Sequence, residues 1–310
     1  MLTHHGLPLS EPMAFGLGAG LAFAVIPFVK LSGMPMIAYR MPPRSIVRGV
    51  ARRLGVKMVS RRFRSEEAGM RALDDLLDEG RIVGLQTSVY WLPYFPEDMR
   101  FHFNAHNLIV YGRIGDDYCV SDPVFECPVR CDAAGLARAR FARGALAPRG
   151  ALYYPRDVPA RFELRPALRS ALRSALRTMT GAPVPLIGIR GIRHLGRRIV
   201  RLERRGPARA LERFLIHIVR MQEEIGTGGA GFRFLYASFL QEAGRAIDSP
   251  KLIDASARMT EAGDGWRRFA LAATRMSKGR EPLRTEGLVA LLGECADAEA
   301  EAWRIVRSAL

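Results

Sequence analysis

AHNLIVYGRIGDDYCVSD (residues 105–122) decides the reading of this chain. Two apolar runs flank Arg113-Ile114-Gly115. A three-residue hairpin loop commonly ends on a left-handed residue, and Gly115 suits that place. With Gly112 and Asp116 closing the loop, Val110 faces Tyr118, Leu108 faces Val120 and His106 faces Asp122. Opposed residues share one face of the sheet, with Cβ atoms about 4.5–5.5 Å apart. A carboxylate there accepts an imidazole N–H, fixes the tautomer and stabilises the imidazolium. The same register sets Cys119 against Ile109, on the other face, which makes it a poor nucleophile for His106. Each residue of the pair also has an ordinary explanation: a half-buried strand histidine, and a turn aspartate before Pro123. His4, His5 and His102 show no comparable arrangement.

Outward from the hairpin, strand signals recur at 56–62, 82–90 and 150–154. Residues 43–54 have helical periodicity with a proline near the start. Ser65 caps a helix with Glu66 and Glu67 in its first turn and Gly80 as its stop. Asp132 opens a short helix. Residues 13–29 (MAFGLGAGLAFAVIPFV) are apolar but shorter than a typical span, and Gly16, Gly18, Gly20 and Pro27 interrupt them. They are read as a buried helix–turn–strand passage, not a membrane segment. Past Pro155 the strands give way to helical patterns at 161–178, 206–225, 231–247, 250–277 and 283–308. The expectation is an α+β domain with an antiparallel sheet over 1–157, followed by an all-α domain over 158–310.

Composition sets limits on function. The chain has 310 residues, 48% of them hydrophobic and 25% charged, as in folded globular proteins. Its net charge is +16, and only Lys30, Lys57, Lys251 and Lys278 are lysines. Residues 161–213 hold 14 arginines against Glu163, Glu203 and Glu212. Arg codon bias and an acidic partner both account for this. Nucleic acid is not the expected partner: no zinc-finger or RNA-recognition motif is present, and aromatics do not interleave with the Arg stripe. Four cysteines (Cys119, Cys127, Cys131, Cys295) form no disulfide framework in a chain this long. Cys127 and Cys131 lack a second ligand pair, so no metal is expected. Free thiols point to the cytoplasm.

Two further features have two readings each. Tyr90 and Leu92-Pro93-Tyr94 follow a strand, and either line an acyl pocket or pack. Gly228 and Gly229, in a Gly-rich link before a helix, with Arg233 a turn later, either hold a phosphate or simply connect two helices. The link lacks a P-loop lysine and does not follow a strand, which argues against a nucleotide. Trp266 and Trp303 lie on helical patterns and read as core.

LPLSEPMAFGLGAGLAF (7–23), GLQTSVYWLPY (84–94), HFNAHNLIVYG (102–112) and VSDPVF (120–125) together resemble the N-terminal domain of the butirosin biosynthesis protein H family. GTGGAGFRFLYASFLQEA (226–243) is similar to the helical domain commonly fused to it. The resemblance implies a papain-like or C39-peptidase-like fold and a Cys–His–Asp acyltransferase. His106 matches its general base and Asp122 its orienting carboxylate. An acyl group passes from a carrier-protein thioester, on its phosphopantetheine arm, to the cysteine and then to an amine. No further cofactor is implied. Carrier proteins are acidic, which suits an Arg-rich surface. The family's cysteine stands ahead of the LSE…GLG segment, at the start of an N-terminal helix. Met1–His5 before Gly6 reads as the last turn of a helix, so the expectation is that this sequence starts inside it, through a misassigned start, a truncated gene or an inactive relative. On that expectation these 310 residues alone do not turn over. A papain-like amidase and a non-catalytic relative that binds an acidic partner remain the alternatives.

Overall fold

The computed structural model describes all residues except Ser32 and 226–228. In chain order its elements are α1 (Glu11–Leu17), β1 (Leu21–Leu31), β2 (Met34–Arg40), α2 (Pro43–Leu54), β3 (Lys57–Arg61), α3 (Glu66–Asp78), β4 (Val83–Thr87), β5 (His106–Ile114), β6 (Asp117–Ser121), β7 (Val129–Asp132), α4 (Ala133–Arg140) and β8 (Leu152–Asp157). The helices α5 (Leu164–Thr180), α6 (Gly188–Arg205), α7 (Ala208–Val219), α8 (Arg233–Ala246), α9 (Pro250–Ser277) and α10 (Glu286–Ser308) follow. The architecture is α+β, with antiparallel sheets and a helical C-terminal region, as the sequence predicts.

The chain forms two compact units, and they do not follow the sequential division expected at 157/158. One unit comprises Met1–Leu9 and Leu54–Phe162, the other Ser10–Arg53 and Glu163–Leu310. The later boundary falls close to expectation, but residues 10–53 fold with the helices. The reason is burial of the apolar run. Leu17, Leu21, Phe23 and Val25 are buried in the helical unit. The Val25 amide donates to Leu186, and Gly16 lies so close to Phe239 that a Cβ there would come within 2.0 Å of the ring.

The first unit is built on a six-stranded antiparallel sheet of order β3-β8-β4-β5-β6-β7. Its core gathers Leu73 and Leu76 of α3, Leu85 of β4, Leu108 and Val110 of β5, and Val120 of β6. Each such side chain contributes about 1.5–3 kcal/mol on burial. Ser65 caps α3 as expected, accepting from the Ala68 amide at 3.2 Å, an interaction worth about 1 kcal/mol. Asp132 caps α4 through the Gly135 amide at 2.7 Å. The hairpin is tied to α3 by Tyr118, whose hydroxyl donates to Asp74 at 2.7 Å, and by Arg113, which reaches Asp74 at 3.3 Å and Asp78 at 2.8 Å. Arg140 is fully buried with carbonyl partners: it donates to Gly69 at 2.9 Å and Gly150 at 3.3 Å, and burial pushes its pKa down to about 10. Strand β4 is shorter than the expected 82–90, because Val89–Trp91 turns into a single 3-10 turn.

In the second unit the Leu/Arg repeat of α5 sorts as amphipathic periodicity demands. Leu168 and Leu172 are buried, while Arg165, Arg169, Arg173 and Arg177 are exposed. Helix α6 was not expected, because Gly188, Gly191 and Gly196 dilute its helical signal; Ile192, Leu195 and Ile199 nevertheless bury one face. At the centre, Arg233 and Glu299 form a fully buried ion pair at 2.9 Å, and Trp266 Nε1 donates to the same Glu299 oxygen at 2.8 Å. Both expected core tryptophans, Trp266 and Trp303, are fully buried. Among the described residues no helix is long and apolar enough to cross a membrane.

Candidate active site

The β5–β6 hairpin closes one step later than its sequence suggests. Ile114 pairs with Asp117 around the turn Gly115-Asp116, with Gly115 at φ +60°. Arg113 then pairs with Tyr118 and Gly112 with Cys119, and an irregularity at Tyr111 gives Val110↔Val120 and Ile109↔Ser121. The expected loop and the expected pairings of Val110 with Tyr118 and Ile109 with Cys119 are therefore corrected. The turn displaces the register one way and the bulge takes one residue back. Beyond the bulge the net shift is even, so His106 and Asp122 keep their common predicted face, whereas Gly112–Ile114, between the turn and the bulge, are displaced by an odd step. His106 and Asp122 still meet, on a diagonal rather than directly opposed.

His106 Nε2 lies 2.6 Å from Asp122 Oδ2. The Tyr94 hydroxyl donates to the same oxygen at 2.8 Å. The other oxygen, Oδ1, accepts the Val124 amide at 2.9 Å, while the Asp122 carbonyl accepts the Phe125 amide at 3.1 Å. Asp-Pro-Val is thus an Asx-type turn that holds its own aspartate. The Asp122 side chain is wholly inaccessible and that of His106 is 10% accessible. Burial pushes the Asp122 carboxyl up, but His106, the Val124 amide and Tyr94 outweigh it and hold the carboxyl below its ordinary range. Burial first, and then the Asp122 charge, push the Tyr94 phenol well above its ordinary value, so it stays a donor. Phe95 packs its ring edge-on to His106 at 5.6 Å between centroids.

This geometry assigns the ring nitrogens. A carboxylate only accepts, so Nε2 carries the proton and Nδ1 of the neutral ring carries the lone pair. An imidazole so held can take up a proton at Nδ1 while the carboxylate behind it fixes the ring's orientation. Beside it, Thr87 pairs with His106 across β4 and β5. The hydroxyls of Thr87 and Ser88 are buried without a hydrogen-bond partner among the described residues.

The cysteines stand apart from this pair. Among the described residues none hydrogen-bonds His106; Cys119, Cys131 and Cys295 are buried and Cys127 is exposed. Burial pushes the Cys131 and Cys295 thiols up to about 12, away from thiolate chemistry. No cluster of three or more His, Cys, Asp or Glu side chains suited to a metal occurs among the described residues.

The predicted substrate-binding residues are scattered. Tyr90 stacks on His102 at 4.0 Å and lines an open cleft of about 450 Å³ with Trp91 and Arg138. Tyr94 is committed to Asp122, a role that WLPY gave no sign of because the contact bridges 28 residues. Gly228 lies outside the described residues. Gly229 is left-handed, at φ +89°. Arg233 is corrected as a phosphate ligand: it is fully buried, and its guanidinium is occupied by Glu299 and the Gly231 carbonyl.

A family model described as "Butirosin biosynthesis protein H, N-terminal" matches residues 1–123. A second, "Domain of unknown function (DUF4872)", matches residues 134–306. No curated protein matches the chain. The N-terminal match indicates a biosynthetic, acyltransferase-like role. With one model over its front and the other over more than half its length, the chain belongs to the DUF4872 family and carries ahead of that domain the N-terminal domain of the butirosin biosynthesis protein H family.

Proposed function

We propose that the protein is an acyltransferase that moves an acyl group from a carrier-protein thioester to an amine, with His106 as general base and acid and Asp122 as its orienting carboxylate. The observation that carries this reading is the 2.6 Å contact from His106 Nε2 to a carboxylate already saturated by Tyr94 and the Val124 amide. It leaves Nδ1 as the basic nitrogen. In the resemblance drawn above, the thiol stands ahead of the Leu9-Ser10-Glu11 segment, and this reading keeps it there. Nδ1 takes the thiol proton, and the thiolate attacks the acyl carbonyl. The carrier's thiol leaves with the proton from the imidazolium. The amine then attacks the acyl-cysteine and gives its proton to Nδ1, and the cysteine sulfur departs. No nucleotide is consumed, because a thioester lies above an amide in free energy.

The Arg-rich helices of the second unit are the proposed dock for the acidic carrier. Of the arginines on α5–α7 up to Arg213, Arg193 is the one with a carboxylate partner among the described residues. The remaining charges are available to a partner, and binding through them weakens as salt rises. Free cysteines support placement in the cytoplasm.

The test is amide formation by the protein expressed from its own locus, with the codons preceding Met1 intact. The substrates are acyl-carrier thioesters with a panel of amines, beside peptides and simple amides. We expect amide from thioester, blocked by iodoacetamide and lowered about 100-fold or more by His106→Ala. Cleavage of peptides without aminolysis would favour the amidase reading. Turnover unaffected by His106→Ala would overturn both.

A further inference from the structure

The second unit holds a small cleft where the end of α5, the start of α6 and the last turns of α10 converge. Its volume is about 260 Å³, and Arg190, Arg193, Arg304 and Arg307 line it. We propose that it binds a phosphate ester. The site does not depend on the His106 reading, since it lies wholly within the second unit.

Charge accounting carries the inference. Arg193 is matched by Asp297 at 2.6 Å, and Arg304 by Glu301, in a two-pronged contact at 2.7 and 2.6 Å. Arg307 reaches a neutral oxygen, Thr180 Oγ1, at 3.4 Å. Arg190 has no protein partner among the described residues. Two positive charges around one concavity are therefore left without an anion among the described residues. A phosphate ester supplies the missing anion, one negative charge as a diester and nearly two as a monoester, and planar guanidinium groups recognise its oxygens by paired N–H donors. Isolated surface arginines need no such explanation. These four differ because they converge on a concave surface, two on α6 and two on α10, one turn apart in each case.

The cleft is built rather than incidental. Gly188 opens α6 with φ +62°, and a Cβ there would come within 2.2 Å of the Met179 carbonyl. That close approach brings the start of α6, with Arg190 and Arg193, beside the end of α5. Apolar side chains share the lining: Met179, Ile187, Ile189 and Ala300. A bare inorganic anion would leave that apolar surface uncovered, whereas the organic portion of an ester covers it. Two sources share the phosphate-ester group: the phosphopantetheine arm of a carrier, which is a monoanionic diester, and a free phosphorylated metabolite, a monoester.

The experiment is titration of the 310-residue chain, by calorimetry and by ³¹P NMR, with 4′-phosphopantetheine, unphosphorylated pantetheine, AMP and inorganic phosphate. Variants are Arg190→Gln/Arg307→Gln, and Arg169→Gln on the exposed face of α5 as a surface-arginine control. All three positions are exposed, so the fold is retained, and circular dichroism verifies it. We expect saturable binding of at least one ester, weakened about 10-fold or more by the double substitution and little changed by Arg169→Gln. Preference for phosphopantetheine over AMP assigns the carrier arm, and the reverse assigns a free metabolite. Equal binding of pantetheine with and without its phosphate, binding of inorganic phosphate alone, indifference to the double substitution, or no ester binding at millimolar concentration would each overturn the proposal.

Discussion

Tyr94 donates its hydroxyl to Asp122 Oδ2 at 2.8 Å, the same oxygen that His106 Nε2 reaches at 2.6 Å. The phenol therefore acts on the imidazole only through the carboxylate between them. Tyr94→Phe keeps the ring packed against Phe95 and Phe125 and removes one donor to a charged acceptor, a bond worth about 1.5–3 kcal/mol. The Asp122 carboxyl should then titrate at higher pH in ¹³C NMR, and turnover of the locus-expressed protein should fall about 10-fold. An unmoved carboxyl titration would make Tyr94 a packing residue only.

Acid stability follows from the same carboxylate. Its folded pKa lies below the ordinary Asp value, despite burial, because of His106, the Val124 amide and Tyr94. A depressed acid stabilises the fold above its unfolded pKa, about 3.9, and that contribution disappears as pH falls through the folded value. Asp122→Asn should therefore be less stable than the parent at pH 7, by about 2–3 kcal/mol for weakened charge-assisted bonds. Below about pH 4 the difference should shrink. Urea unfolding of both proteins from pH 3 to pH 8 measures it; a difference independent of pH would contradict the linkage.

Thiol reactivity should separate one cysteine from three. Cys127 is exposed, whereas Cys119, Cys131 and Cys295 are buried. Reaction of the folded 310-residue chain with a disulfide reagent should modify Cys127 rapidly and the others only upon unfolding. A second fast thiol would show that the buried sulfurs are reached by local opening.

The Arg233–Glu299 pair gives a stability test inside the helical unit. Removing one partner leaves the other charge buried and alone, so Arg233→Met should cost about 3–5 kcal/mol. Adding Glu299→Gln should recover part of the loss, because the stranded carboxylate becomes a neutral amide that still accepts from Trp266 Nε1. Additive losses in chemical denaturation would mean the two side chains are not coupled.

The pairing of His106 with Asp122 was legible because side-chain faces depend only on even or odd register. The turn at Gly115-Asp116 and the bulge at Tyr111 are irregularities that an apolar pattern does not encode, yet together they preserve parity. Capping at Ser65 and Asp132 was legible from local chemistry. What escaped was long-range. Residues 10–53 contain ordinary helix and strand patterns, and nothing local says that their apolar face is covered by helices from beyond residue 163. Tyr94 read as an acyl-pocket or packing residue because its partner is distant in sequence. Arg233 read as a surface ligand because the sequence gives no sign of Glu299 opposite it.

The most direct test of the central claim is the ring ¹⁵N spectrum of His106 in the 310-residue chain, taken where the imidazole is neutral. The geometry predicts a protonated Nε2 and a lone pair on Nδ1, with a slowly exchanging, low-field Nε2–H proton that disappears or shifts upfield in Asp122→Asn. A proton on Nδ1, or a ring spectrum that Asp122→Asn leaves unchanged, would contradict it.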